Sequence, residues 1–184
     1  GDKLEGDTIE SQSYEETRYG FEIGGAILKD KLFFYGAYEK YDGVDLNDRG
    51  AIGSGAVNEV LISQAELDRI AQIARDVYDY DPGTAKAEPF DFEDEKYLAK
   101  IDWYVTDAQR VALTYMYNDS FNLTPSDGDL NEFEFSKHFY KRGAELESYT
   151  LNWYSDWSSN FSTEVRYSVS EVDFLQQSVS GPDF

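Results

Sequence analysis

A short acidic segment carries the pattern of oxygen ligands that calcium-binding loops use. Asp127, Asp129 and Asn131 place a carboxylate or amide oxygen at every second position. The segment departs from an EF-hand loop, because its sixth position is Glu132 instead of glycine and its twelfth is His138 instead of glutamate. Asp127, Asp129 and Asn131 are therefore candidate Ca²⁺ ligands, and a solvated acidic loop is the simpler interpretation of the same residues.

The other reactive residues do not form a pattern that is typical of catalysis. His138 lies in FSKHFYKR, which lacks a serine or cysteine nucleophile pattern. The glycine-rich stretch over residues 50–55 lacks the Lys-Ser/Thr ending of a phosphate-binding loop. Carboxylates are too numerous for one pair to stand out as acid and base. We therefore predict that the chain is not an enzyme and binds no organic cofactor.

The composition limits the partners and the fold. The chain has 37 acidic and 16 basic residues and a net charge of −21, which argues against nucleic acid as a partner. Its 15 tyrosines, 12 phenylalanines and 3 tryptophans favour β-structure over disorder. The absence of cysteine excludes disulfides and thiolate metal sites. The sequence has no run of about 18 apolar residues, so we predict no transmembrane helix.

The middle of the chain predicts an antiparallel hairpin. Apolar residues occupy alternate positions in two runs, 97–105 and 111–117, and Thr106 to Gln109 form a turn between them. Side chains alternate between the two faces of a strand, so each run has one apolar and one mostly polar face. Two such runs joined by a short turn are typical of a hairpin.

The same pattern occurs twice more, so the chain contains three predicted hairpins. They cover residues 17–41, 95–119 and 145–173. Long loops over residues 43–94 and 121–144 connect the hairpins, whereas the turns within the hairpins are short. The short turns therefore lie at one end of the strands and the long loops at the other.

A helix is predicted inside the longer loop. Ser63 and Glu66 have the spacing of a capping box, in which each side chain satisfies the backbone N–H of the other residue. Apolar residues then recur at helical spacing at Leu67, Ile70, Ala71, Ala74 and Val77. Residues 64–78 are therefore predicted to form an amphipathic helix, which makes this loop a folded excursion.

The strand lengths and the placement of the loops favour a transmembrane β-barrel. Strands of about ten residues match the 9–11 residues with which a tilted strand crosses a bilayer, and outer-membrane barrels pair short turns with long extracellular loops. Aromatic residues are predicted to mark both interfaces, with Trp103, Trp153 and Phe161 near the turns and Tyr97, Tyr117 and Tyr167 nearer the loops. The polar faces would then line a water-filled lumen.

The predicted fold class is therefore all-β. We expect antiparallel up-and-down hairpins that form part of a transmembrane β-barrel, with about six strands over residues 1–184 and one loop helix. Six strands do not close a membrane barrel, because single-chain barrels begin at eight. The chain is therefore interpreted as a fragment of a larger barrel or as one contribution to an assembly.

Four segments have an order and a spacing that are typical of one family. They are an early hairpin over residues 21–39 (FEIGGAILKDKLFFYGAYE), the pattern LAKIDW over residues 98–103 followed by Arg110, the strand NFSTEVRY over residues 160–167, and the helical segment 62–80. Together they resemble the barrel of TonB-dependent outer-membrane receptors, especially those with an N-terminal carboxypeptidase-regulatory-like domain.

The resemblance implies a location and partners. Such receptors lie in the outer membrane of Gram-negative bacteria, where a 22-stranded barrel around a plug imports a scarce ligand with energy from TonB. The implied partners are outer-membrane lipid, an unidentified small ligand and the TonB complex, which would act through other parts of the parent protein. We find no plug-like or TonB-contacting segment in these residues, so the long acidic loops are expected to form part of the extracellular, ligand-facing side.

Two other interpretations fit the same alternation. A passive porin or structural outer-membrane barrel has similar strands, and a plug in the parent protein would distinguish a receptor from it. A soluble β-rich module that binds carbohydrate or another ligand through exposed Trp and Tyr is the second. The soluble module is favoured if the apolar stripes meet in a closed core.

Overall fold

The computed structural model describes residues 3–4, 7–8, 15–45, 47, 49–85, 90–125 and 132–180. Its strands are β1 (Lys3–Leu4), β2 (Asp7–Thr8), β3 (Glu16–Leu28), β4 (Leu32–Asp45), β5 (Arg49–Ile52), β6 (Asn58–Ser63), β7 (Phe90–Thr106), β8 (Gln109–Thr124), β9 (Tyr140–Ser158) and β10 (Phe161–Ser178). The helices are α1 (Gln64–Tyr78) and a 3₁₀ turn at Ser136–His138. The all-β prediction is confirmed.

One antiparallel sheet dominates the described residues. Its six strands follow the order β10-β9-β8-β7-β4-β3, so each predicted hairpin is present and lies beside the next. The strands β3 and β10 form its edges, and the described part of the sheet does not close on itself. Two small sheets, β1-β2 and β5-β6, accompany it, and the pairing of β5 with β6 is parallel.

The strands of the main sheet are longer than the ten or so residues predicted, because backbone pairing continues into the predicted loops. They contain 13 to 19 residues. Asp45 pairs with Phe90, and Thr124 pairs with Tyr140, so the connections shorten to residues 46–89 and 125–139. In the third hairpin, β9 runs to Ser158 and β10 begins at Phe161, which leaves a two-residue turn.

The register places most of the apolar side chains of the six strands on one surface. Phe34 pairs with Ile101, Ile101 with Leu113, Leu113 with Leu151, and Leu151 with Tyr167. The sequence leaves open which side of β4 is apolar, and this pairing assigns its apolar side to the residues with even numbers from Leu32 to Tyr38. We call this surface the apolar face and the opposite surface the polar face.

The hairpins are offset along the strands in a constant direction. The strand β7 continues for three residues past Trp103, which pairs with Leu32 at the start of β4. The strand β9 likewise continues for three residues past Ser155, which pairs with Gln109 at the start of β8. Three residues are about 10 Å of strand and two strand spacings about 9.5 Å. A line through the turns therefore crosses the strands at about 45°.

The most deeply buried apolar cluster lies in the connections. Ala51, Leu67 and Ala85 are at most 6% exposed and pack with Ile62, Phe133 and Phe135. This cluster joins residues 49–85 to residues 132–139, and we call these two segments together the loop unit. Backbone bonds between the segments, from the Ser136 N–H to the Thr84 carbonyl and from the Lys137 N–H to the Pro82 carbonyl, measure 2.9 and 3.2 Å.

The helix predicted over residues 64–78 is confirmed at both ends. Ser63 Oγ accepts a bond of 3.3 Å from the Glu66 N–H, and the Glu66 carboxylate accepts one of 3.1 Å from the Ser63 N–H. This capping box satisfies two backbone donors at the start of α1. At the other end, Asp79 adopts a left-handed conformation with φ of 52°.

Candidate functional site

The apolar face is uncovered by the described part of the chain. Trp103 and Trp153 are each 48% exposed, Leu113 is 46% exposed and Val165 is 58% exposed. Large apolar side chains are therefore in contact with solvent over the width of the sheet. A continuous exposed apolar surface of this kind marks an interaction with protein or with membrane.

The loop-side border of the apolar face follows the staggered turns. The first carboxylates on this face are Asp42 on β4, Glu95 on β7, Asp119 on β8, Glu147 on β9 and Glu171 on β10. Each lies ten or eleven residues from the turn end of its own strand. Because Glu147 pairs directly with Tyr117, the border does not run perpendicular to the strands. It runs parallel to the line of turns.

Tyrosines lie just inside this border. Tyr97, Tyr117 and Tyr149 are eight or nine residues from the turn ends of their strands. Tyr97 and Tyr117 have ring centroids 5.7 Å apart, and the Tyr149 hydroxyl donates a hydrogen bond of 2.7 Å to Glu147. At the turn end, Trp153 Nε1 donates a bond of 2.8 Å to Gln109. Tyrosines also occur at mid-span on this face, because Tyr115 and Tyr167 lie six residues from their turns, and Tyr167, which was expected nearer the loops, pairs with Leu151.

Charged residues on three strands of the polar face, and an asparagine on a fourth, form one row of contacts. Arg18 on β3 lies 2.7 Å from Glu39 on β4, and Lys96 on β7 lies 3.6 Å from Glu39 and 2.9 Å from Asp94. Asn118 on β8 donates a bond of 2.8 Å to Asp94. Each charge in this row therefore has a partner of opposite sign.

A second network lies on the polar face near the short turns. Asp102 accepts bonds of 2.6 and 2.9 Å from Arg110, and Lys100 lies 2.8 Å from the same carboxylate. The Arg110 guanidinium also lies 5.6 Å from the ring centroid of Tyr104 and 5.2 Å from that of Tyr154. The Asp102 carboxylate and the two tyrosine rings together offset the positive charge of Arg110.

Two recesses open on the polar face. The central recess has a volume of about 560 Å³ and is lined by Ala37, Leu98, Met116 and Leu146 together with polar neighbours. The upper recess, at the loop end, has a volume of about 480 Å³. Its side chains include Tyr41, Phe92, Asp94, Ser120, Asn122 and Arg142. Both volumes lie in the range of small-molecule sites.

Comparisons with known proteins do not assign a family or a function to the chain. Neither protein-family models, nor curated proteins, nor solved structures gave a match to the chain. The helices of the described residues include none with the length and apolar character needed to span a membrane. Within the same residues, no group of three or more His, Cys, Asp or Glu is arranged to hold a metal ion.

Asp127, Asp129 and Asn131 lie outside the described residues, so their role as Ca²⁺ ligands stays a prediction. His138 is exposed at the end of the 3₁₀ turn, where its N–H donates a bond of 2.8 Å to the Phe135 carbonyl. Its surroundings do not supply a nucleophile-and-base geometry among the described side chains.

The polar residues of the upper recess were missed because they fall in or beside a predicted loop. Asn122 and Arg142 were assigned to the connection over residues 121–144, whereas they lie on β8 and β9 as direct partners. The alternation of Ser120 and Asn122 with the apolar Phe121 and Leu123 was the available signal.

Carboxylates of the loop unit accept bonds that favour their charged forms. The Gly83 N–H and the Arg75 side chain, at 3.1 and 3.0 Å from Asp81 Oδ1, lower the pKa of Asp81. The N–H groups of Gly53 and Gly55, each 3.0 Å from the carboxylate, lower the pKa of Glu59. These contacts hold the turn at residues 81–83 to α1 and the turn at residues 53–55 to β6.

We expect the loop unit to lose protection from hydrogen exchange on acidification. The folded pKa of Asp81 lies below the ordinary 3.8 and that of Glu59 below 4.5, so these contacts stabilise the unit above those values and are lost as pH falls through the lower folded pKa. Exchange of the α1 amides, corrected for intrinsic rates, should rise between pH 5 and about pH 3.

The control separates this effect from general acid unfolding. Asp81→Asn should weaken the pH dependence of α1 exchange, whereas Asp76→Asn, at an exposed carboxylate of the same helix, should retain it. Equal protection of the α1 amides at pH 5 and pH 3 in the native chain would contradict the expectation.

Proposed function

We propose that the chain forms part of the β-barrel of a TonB-dependent type of outer-membrane receptor, which imports a scarce ligand. The loop unit would lie on the extracellular side and the short turns on the periplasmic side. The observation that carries the membrane assignment is the border of the apolar face, which stays ten or eleven residues from the turns on five strands.

The length of the apolar span supports a membrane strand. A tilted transmembrane β-strand needs about 9–11 residues. From Val105 to Tyr97, β7 provides nine residues whose apolar-face members carry no charge, and Glu95 follows. Tyr97, Tyr117 and Tyr149 beside the border and Trp103 and Trp153 nearer the turns fit the aromatic girdles of the two membrane–water interfaces, although tyrosines also occur between them.

The offset between hairpins supports a barrel. If all short turns lie at one membrane surface, the three-residue offset tilts the strands by about 45°, close to the 35–45° of membrane barrels. The border of carboxylates follows the same tilted line, and Lys40 on β4 lies two residues inside it, 3.3 Å from Asp42. In a flat sandwich sheet, water contacts the outer face along the whole strand. Nothing would then place the carboxylate border parallel to the line of turns.

Receptor activity is proposed from the resemblance to TonB-dependent receptors and from the folded loops. The loop unit has its own buried cluster around Leu67, and two recesses on the polar face lie on the side that would line the lumen. A passive porin would use the same sheet. Ligand uptake that stops when TonB is removed distinguishes the receptor from the porin.

The first experiment is fractionation of the protein that contains this chain from its native envelope. We expect recovery only with detergent, as an outer-membrane species whose migration on a gel shifts after heating, because closed barrels resist unheated detergent. A periplasmic protein and a known outer-membrane protein of the same cells serve as controls. Recovery as a soluble monomer would exclude the membrane proposal and favour a soluble β-rich module.

A further inference from the structure

The upper recess combines aromatic, amide and guanidinium groups along one register row. Phe92 on β7 pairs with Asn122 on β8, and Asn122 pairs with Arg142 on β9. Two strand spacings separate Phe92 from Arg142, which is about 10 Å. A ligand of one or two rings therefore fits between the aromatic wall and the guanidinium, above the Asn122 amide.

Three polar side chains of this recess are available to bind a ligand. Ser120, Asn122 and Arg142 make no side-chain hydrogen bond or ion pair with a described residue, and Arg142 lies 6.0 Å from the ring centroid of Tyr140. The adjoining row differs, because Asp94 there is bonded to Lys96 and Asn118. A guanidinium without an ion pair is unexpected in a chain with 37 acidic and 16 basic residues.

The aromatic wall is held in a fixed position. Tyr41 and Phe92 pack edge to face, with ring centroids 4.9 Å apart and an angle of 66°. The Phe92 ring lies across Gly43, where an added Cβ would come within 2.7 Å of a ring carbon. Glycine at this position therefore lets the ring lie against the strand and leave the recess open.

We propose that the upper recess binds a small ligand that carries a carboxylate beside a planar ring. Arg142 pairs with the carboxylate, Asn122 and Ser120 donate further hydrogen bonds, and the ring packs against Phe92. The Asp94 charge does not oppose this ligand, because Lys96 already compensates it. The assignment rests on the proposed receptor function, since it names the ligand class for the extracellular side of the lumen.

The test is a titration with 2-naphthoate and with its neutral analogue 2-naphthamide, followed by saturation-transfer NMR. The purified protein is used in detergent micelles or in buffer, according to how it fractionates. We expect 2-naphthoate to bind and 2-naphthamide to bind at least about tenfold more weakly, since it cannot form the ion pair. Arg142→Gln should weaken 2-naphthoate binding by a similar factor, and Phe92→Leu should weaken both probes.

The matched control is Arg166→Gln, which removes another guanidinium of the polar face. Arg166 lies near the short turns, where it bonds to Asn152 at 2.8 Å, so its loss should leave both affinities unchanged. Equal binding of the two probes, or an unchanged affinity in Arg142→Gln, would overturn the site. Because binding requires neither membrane insertion nor TonB, a failed fractionation with intact binding refutes only the receptor proposal, and the reverse result refutes only the site.

Discussion

Leu113→Asp is expected to abolish assembly in the outer membrane, whereas Thr114→Asp is expected to assemble normally. The two residues are neighbours on β8 at nearly the same distance from the turn, and they lie on opposite faces. Leu113 pairs with Ile101 and Leu151 near the middle of the apolar span, whereas Thr114 pairs with Lys100 on the polar face.

The difference comes from the surroundings of the new carboxylate. At position 113 the substitution removes a leucine from hydrocarbon and places a charge there, at a combined cost on the order of 2–4 kcal/mol. That is a large part of the stability of a typical domain. At position 114 the carboxylate faces water and the Lys100 ammonium, so the cost is small.

The measurement is the fraction of each variant that is recovered from membranes in the heat-modifiable form. Tyr115→Asp should behave like Leu113→Asp, and Trp103→Asp should also impair assembly but less strongly, because Trp103 lies on the apolar face nearer the turns. Normal outer-membrane levels of Leu113→Asp would show that this face does not contact lipid. A loss in Thr114→Asp as large as in Leu113→Asp would show that the sheet tolerates a charge on neither face.

Leu67→Ala is expected to open the loop unit while the sheet stays folded. Leu67 is 3% exposed and is the largest buried side chain of a small cluster with Ala51 and Ala85. Leucine-to-alanine changes in a core cost about 2–5 kcal/mol, and two alanine neighbours offer little side chain to fill the cavity. The other buried apolar residues described in the loop unit are Val60, Ala71 and Phe139, so its core is small and the loss is a large part of it.

Hydrogen exchange, read segment by segment, checks this expectation. Amides of residues 64–78 and 132–139 should exchange faster in Leu67→Ala, and amides of β7 and β8 should keep their protection. Ile73→Ala is the control, because Ile73 lies on the same helix and is 43% exposed. Loss of protection throughout the sheet, or equal effects of the two variants, would show that the loop unit is not a separate cluster.

Strand patterns near the middle of each hairpin were predictable because the apolar face imposes strict alternation there. The shared apolar side of Ile101, Leu113, Leu151 and Tyr167 follows directly from that alternation. Beyond the border of the apolar face, both faces of each strand carry polar residues. The alternation of hydropathy that predicts a strand is therefore absent there. Backbone pairing continues regardless, which is why Phe90 and Tyr140 begin strands inside predicted loops.

The helix α1 was predictable to the residue because its signals are local. Ser63 and Glu66 satisfy each other's backbone groups, and that geometry depends only on three residues of spacing. What α1 packs against was not predictable. Phe133 and Phe135 come from the other connection, 66 and 68 residues after Leu67 in sequence, and only the folded chain brings them together.

The sequence by itself determined the all-β class, the three hairpins, the alternation of faces and the capped helix. Each of these depends on residues that are close together in the sequence. The tertiary structure alone decided the offset between hairpins, the partners of the loop unit and the row that joins Phe92, Asn122 and Arg142. These features depend on register between strands that long connections separate. Register is set by packing and pairing over the whole sheet, and no local pattern encodes it.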